Sequence, residues 1–454
     1  MTLGDNNPAL PHSLRRSIWK WTVTGVPVAF LCLVGWLWFS SMNQLESKLD
    51  ELRAAGLPTS ASEVNDLYKV PAGVNDRTLE WVSAINAVEA ANLPKIGSGL
   101  PIVGSNSNPI PPPGQPWADL EASRTLVRSL DKEFLLIRKA ASVPGQVRFP
   151  VDFSAGVATL LPLTQNARQV ARLLQLDAHV SAHEGDFART LQDIKDMFAL
   201  SLVLSSEPCS ISELVRFALY AVAVSTLEEL IPASGWTDTE LASLQEFIGT
   251  APFEAEMQRA MASETAILLT EFDKAPLGPF RQANKIAMLK FIEEARGAYS
   301  QPWPQPLKLQ AESSLRFNGL SRSSQFNRFK YLSLAIYAPP IEQAGNSTCR
   351  AVARQRCLHL GLAAYRYQLQ HVRLPATLAD LDASLLPAGQ IPADLTIDPY
   401  DGQPLRTKID ASGLLIYSVS QNLVDDGGDV KSRDAKPSPG DLGFQVFPVK
   451  PALK

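Results

Sequence analysis

Apolar and polar positions follow three textures along this chain. The first is an unbroken apolar run. Thr22 to Ser40 (TVTGVPVAFLCLVGWLWFS) holds nineteen residues without a charge, close to the roughly 20 that a bilayer core requires. Trp19 and Trp21 flank one end, and Trp36 and Trp38 the other. Indole suits the headgroup level because it is apolar with one polar N–H. Arg15, Arg16 and Lys20 precede the run, whereas Glu46, Asp50 and Glu51 outnumber Lys48 after it. The positive side stays in the cytoplasm. The pattern therefore predicts a cytoplasmic tail over 1–21 and a transmembrane helix over 22–41. The remainder is expected on the extracytoplasmic side of the cell inner membrane, held by a single pass. A cleaved signal peptide is the rival reading, but no A-x-A-like site follows the run.

The second texture has helical period. Residues 43–56 form a short polar helix in which Leu45, Leu49 and Leu52 have coiled-coil spacing; packing on its own domain is the simpler expectation. A helix is predicted over 78–91. Residues 96–116, rich in Gly, Pro, Ser and Asn, read as an extended loop. Ala167, Ala171, Leu174, Ala178 and Ala182 make one stripe of a helix over 164–184. After Gly185-Asp186, Phe187, Leu191, Ile194, Phe198 and Leu202 make a second over 187–205. A capping box, Ser210-x-x-Glu213, is expected to open a third helix, apolar nearly all round and hence central. Thr237-x-x-Glu240 caps another, and 253–273 and 281–298 are two more. The hairpin around AHEGDFARTLQDI resembles a tetratricopeptide pair, but no repeat period follows, so the expectation is an α-hairpin bundle over 42–300. Residues 301–344, opened by QPWPQP, are expected to link this bundle to the rest.

The third texture begins after a helix expected over 345–371. Short segments are divided by turn residues. Leu415 to Val419 and Phe444 to Phe447 read as strands, and Asp401-Gly402 as a hairpin turn. Residues 345–454 should thus form a helix with a small antiparallel sheet packed on it. The overall fold class expected is mainly α, with a small C-terminal α+β module.

Within that module the order of features resembles the C-terminal region of type II secretion major pseudopilins, over about 359–447. Tyr367 lies on the helix, followed by Pro375 and Leu378. Asp398-Pro399-Tyr400 comes next with Gly402 and Pro404, then Tyr417-Ser418 on a strand, then the acidic loop Asp425-Asp426-Gly427-Gly428-Asp429. The resemblance implies a pilin-like fold for the module. It departs from pseudopilins in lacking a prepilin cleavage site and in the roughly 300 residues that separate anchor from module. The full layout also resembles a family of uncharacterised bacterial membrane-anchored proteins, which implies architecture and no activity.

Composition narrows the chemistry. The 454 residues are 45% hydrophobic with net charge −4, so no global basic field points to nucleic acid. Cys209, Cys349 and Cys357 lie outside the apolar run, with no C-x-x-C pair; burial as small apolar groups is expected. Asp425, Asp426 and Asp429, with Asp434, are the best candidate ligands, for calcium, since such ions take carboxylate and carbonyl oxygens at Gly-permitted turns. The pseudopilin resemblance implies the same, because that loop carries calcium in some members. A solvated charged turn is the plain alternative. His179-x-x-x-His183 has metal-capable spacing, but a solvated helix face is the expectation. Residues 316–331 interleave Arg316, Arg322, Arg328 and Lys330 with Phe317, Phe326, Phe329 and Tyr331. Such mixing suits a membrane surface or an amphipathic core face.

No nucleotide-binding, hydrolase-elbow or zinc-protease motif is present. The expected function is a membrane-anchored extracytoplasmic scaffold or partner-binding protein without catalytic activity. A component of a type II secretion or pilus-like assembly, and a hydrolase with a scattered site, are the alternatives.

Overall fold

The computed structural model describes residues 26–275, 277–386, 395–430 and 440–448. Its helical part is organised around one hairpin. Helix α7 (Pro162–Glu184) ends at Gly185, whose φ of 78° places it in the left-handed conformation that glycine tolerates best. Asp186 then caps α8 (Phe187–Val203), its side chain accepting from the Arg189 N–H at 3.1 Å. The break and both helices lie where the sequence predicts. All five residues of the α7 stripe are buried. On α8 the buried face is rotated: Ile194 and Phe198 are buried, Leu202 is exposed, and Asp193 and Asp196 occupy the interior. Two internal acids displace the purely apolar stripe because a half-buried cation, Arg138, receives them.

Before this hairpin run α1 (Val26–Ala54), α2 (Ala61–Leu67), α3 (Thr78–Ala91), α4 (Leu93–Ile96), α5 (Leu120–Ser129) and α6 (Asp131–Ala141). The loop after α4 holds turns and no regular element through 116, as expected. α9 (Ser210–Ser234) packs on α7 and α8 and buries fourteen residues, in keeping with its all-round apolar sequence. α10 (Asp238–Ile248) has the expected capping box of Thr237 and Glu240. The box expected at Ser210 is absent. Cys209 is the N-cap and Ser210 the first helical residue, with its N–H and hydroxyl turned to Glu264 of α11 (Phe253–Lys274), while Glu213 faces the interior. Tertiary partners here outweigh the local cap.

α12 (Arg281–Ala298) coincides with its predicted span. Residues 301–344, expected as a link, are instead largely helical: α13 (Gln305–Arg322), α14 (Gln325–Lys330) and the start of α15 (Leu332–His371). α13 packs on α12 and α15. The reason is an apolar face, with Phe317 buried against Phe291 at a ring separation of 5.1 Å. α15 runs 40 residues through Pro339 and Pro340.

The sheet is three-stranded and antiparallel, in the order β1 (Arg406–Asp410), β2 (Gly413–Ser418), β3 (Leu442–Val446). The hairpin joining β1 to β2 turns at Ala411-Ser412, where Asp410 accepts from the Ser412 N–H at 2.7 Å. Asp401-Gly402 instead closes a small loop bounded by an antiparallel bridge between Ile397 and Pro404. β2 is buried throughout, and β1 is an exposed edge. The sheet packs on α15, as predicted. Gly361 makes the approach possible: a Cβ there would sit 2.2 Å from Phe444 Cδ1. One apolar core runs from Trp81 on α3 to Val446 on β3, so bundle and sheet share an interior.

α1 covers the predicted span except residues 22–25, which lie outside the described residues. Among the described residues no helix is long and apolar enough to cross a membrane. The second half of α1 packs on its own domain: Leu45 and Leu52, with Leu49 partly covered, meet Leu269, Ile286 and Leu289.

Candidate functional site

Two buried ionic hubs fix the bundle. The first is centred on Arg138 of α6. Its guanidinium pairs with Asp193 and Asp196 of α8 and lies 3.7 Å from Asp177 of α7. Arg189 donates to Asp177 from Nε at 3.0 Å, and Gln192 donates to Asp196 at 2.8 Å. Burial, with Asp177 alongside, pushes the Asp193 carboxyl well above the carboxylate range, and Arg138 pulls against that shift. Three helices meet at one cation.

The second hub is Arg216 of α9. It donates to Glu213 at 3.0 Å, pairs with Glu256 of α11, and lies 4.9 Å over the Phe253 ring. Burial raises Glu213 to about 7 despite Arg216. That value suits a general acid or base, but Glu213, Arg216 and Glu256 are all enclosed by the bundle.

In the sheet module the organising group is an anion. Asp398 is fully buried. Its Oδ1 accepts from the Tyr400 N–H at 3.0 Å and the Ser418 hydroxyl at 2.8 Å. Its Oδ2 accepts from the Val419 N–H at 2.9 Å and Arg406 Nη1 at 3.0 Å. Burial raises the carboxyl, and these donors oppose the shift. The fold thus gathers Asp398-Pro399-Tyr400 and Tyr417-Ser418, which the sequence relates only by order. Tyr367 stacks on His371 at 4.1 Å, and Leu378 opens a turn capped by Thr377 and Asp380.

Of the candidate calcium ligands, Asp425 and Asp426 sit beside this hub, each in a different local bond. Asp425 Oδ1 accepts from the Tyr417 hydroxyl at 3.0 Å and the Gly427 N–H at 2.9 Å. Asp426 Oδ2 accepts from Asn422 at 2.7 Å. The Gly428 N–H donates to Asp441 at 2.7 Å, and Lys408 donates to the Gly427 carbonyl at 2.9 Å. Among the described residues no group of three or more His, Cys, Asp or Glu is placed to hold a metal ion, Asp429 included. Asp434 lies outside the described residues.

The histidine pair also departs from expectation. His179 is buried rather than solvated, held near pKa 4 by burial, and His183 packs on Trp117 at 5.0 Å while its Nδ1 bonds the His179 carbonyl at 2.8 Å. The cysteines Cys209, Cys349 and Cys357 are buried and free, as expected. Burial raises the Cys209 thiol to about 12, which leaves it unreactive.

One open site is a groove of about 430 Å³ between α9 and α15, with Gln421 after β2 also in its lining. Leu214, Phe217 and Ala218 supply an apolar wall. Asn346, Arg350 and Arg354 supply the polar one. The Asn346 carbonyl also accepts from the Tyr400 hydroxyl at 3.5 Å, so the groove abuts the Asp398 turn. Sequence reading missed it, because its walls lie more than a hundred residues apart; only the Arg350-x-x-x-Arg354 spacing, one face of a helix, hinted at it. Comparison with family models, curated proteins and solved structures finds no match for the chain.

Proposed function

We propose that the protein is a membrane-anchored extracytoplasmic scaffold that holds a partner protein, without catalysis. Anchoring rests on the uncharged run at 22–40 and on the exposed Trp36 and Phe39 of α1. The partner-binding part is carried by one observation: the α9/α15 groove. It is open, apolar along one wall and lined by amides and two arginines on the other. Arginine forks recognise carboxylates, and a groove between helices suits an extended or helical segment. An acidic, partly apolar segment of a partner is the occupant this chemistry fits. The enclosed Glu213 and Arg216 do not reach it.

Ala218 lines the groove and is exposed, so Ala218→Trp fills it without disturbing the core. Photo-crosslinking from Gln343 in native membranes should yield one stoichiometric adduct, and Ala218→Trp should abolish it. An adduct that persists in Ala218→Trp refutes the groove as the binding site. Alkaline extraction of membranes tests the anchor separately: the full chain should stay with the lipid.

Incorporation into a secretion or pilus-like assembly is a second reading. It is favoured by the exposed edge strand β1, with Ile409 on its outer side, because open edges pair with further strands. Crosslinks from position 409 to a pilin-like subunit would support it; crosslinks only within the chain would remove it.

A further inference from the structure

A second groove is lined by residues of α1, α12, α13 and α14. Its volume is about 360 Å³. Ile286, Phe291, Phe317 and Leu320 line it with apolar surface, and Lys290, Arg316 and Lys330 place cations in it. Glu294 is the acid among them. It accepts from Arg316 and from Ser313, both at 2.6 Å. Lys290 and Lys330 form no ion pair among the described residues, and Lys330 Nζ lies 4.9 Å over the Tyr331 ring.

Position singles out this groove. Ser41 and Gln44 line it, so its mouth begins one residue past the apolar run that ends at Ser40. Large apolar side chains stand exposed around the same end. Trp36 and Phe39 on α1 are 64% and 61% exposed, Phe326 on α14 is 61%, and Ile336, five residues after Tyr331, is 63%. Charge agrees. Residues 281–331 hold nine Arg and Lys but three Asp and Glu, in a chain whose net charge is −4. Three of these cations, Lys290, Arg316 and Lys330, line the groove together with Ser41 at the end of the predicted span.

We infer that this groove binds an anionic phospholipid of the bilayer that holds the anchor. The headgroup phosphate pairs with Lys290 and Lys330, and the first methylenes of an acyl chain lie against Phe317 and Leu320. Phe326 and Ile336 enter the interface beside it. The inference rests on the anchored reading, since it is the exit of the span that brings the groove to headgroup level. Lysine near an anionic surface attracts it by an amount equal to about a five-fold change in partition per cation.

The test uses the full chain in mild non-ionic detergent, with a polarity-sensitive fluorophore on Phe326→Cys in a Cys32→Ser background. Titration with short-chain phosphatidylglycerol should give a saturable blue shift, and phosphatidylcholine should give none. Lys290→Gln and Lys330→Gln should each weaken the response about five-fold, while Lys132→Gln on α6 leaves it unchanged. Equal responses to the two lipids, or a response indifferent to both lysine variants, overturns the inference. So does an equal response to glycerol phosphate, which would make the groove a site for free phosphate. Alkaline extraction keeps the two readings apart. A chain that stays in membranes yet ignores phosphatidylglycerol retains its anchor and loses this inference. A chain that is extracted yet still responds keeps the groove as a lipid site and loses the anchor.

Discussion

The Arg138 and Asp398 hubs solve the same problem with opposite charges. One is a cation ringed by three carboxylates, the other a carboxylate ringed by four donors. The carboxylates of both are buried, where an unpaired charge is strongly unfavourable, while Arg138 itself is half-buried. The hubs differ in reach. Arg138 joins its own helix to residues 55 and 58 positions away on α8. Asp398 joins its own turn to a strand that begins fifteen residues later. The first sets how helices cross; the second sets how one small module closes. A long-range cation hub is a packing device, and a short-range anion hub is a turn device.

That contrast can be broken by substitution. The largest effect is expected at Arg138→Leu, which leaves Asp177, Asp193 and Asp196 facing each other without their shared cation. Loss of about 3–5 kcal/mol should follow, read by denaturant unfolding. Adding Asp193→Asn should recover part of it, and a double-mutant cycle would measure the coupling. No recovery would show that the acids are not held by that cation. Asp398→Asn should cost less, about 2–3 kcal/mol, because the amide keeps one acceptor while turning a donor toward donors. Near-ultraviolet signals of the helical bundle should survive if the hub closes only the sheet module.

A neutral buried group sharpens the comparison further. His359 is enclosed and donates from Nε2 to the Gly249 carbonyl at 2.9 Å. Burial lowers its pKa from 6.5 to about 4. Between those values the unfolded chain holds the proton and the folded chain does not. Stability therefore falls as pH drops from 6.5 toward 4 and is fully present above 6.5. His359→Gln keeps a donor without a titration, so its stability should fall less across that window, by about 3 kcal/mol. Identical pH profiles for the two proteins would refute the assignment. The smallest effect is expected at the acidic loop. Melting of the full chain in millimolar Ca²⁺ should move little, since Asp425 and Asp426 are already bonded to different donors. A clear rise that Asp426→Ala erases would make the loop a cation site.

What the sequence disclosed follows the same division by range. The α7–α8 hairpin, the Thr237 cap, α12 and the strands β2 and β3 were legible, because period, Gly185 and local caps decide them. The Asp398 hub was half legible: its residues could be strung in order, but not its bonds. The Arg138 hub was not, since nothing local ties Arg138 to Asp193. The false cap at Ser210 fails for the same reason, with Glu264, fifty-four residues away, taking the bonds that a local box would use. The helices of 301–344 were hidden by QPWPQP, a punctuation that ends at residue 306 while the apolar face begins just beyond.

α1 has a mechanical consequence. It continues without a break from Val26 to Ala54, and its last turns are clamped by Leu45 and Leu52 against α11 and α12. A flexible tether would let the body tumble above its attachment point. This helix has no joint, so any tilt or twist imposed on residues 26–40 must be carried into α12 as a rigid rod carries torque. On the anchored reading proposed above, the body would stand as a mast with fixed heading, and a partner in the α9/α15 groove would meet it at one height and in one orientation.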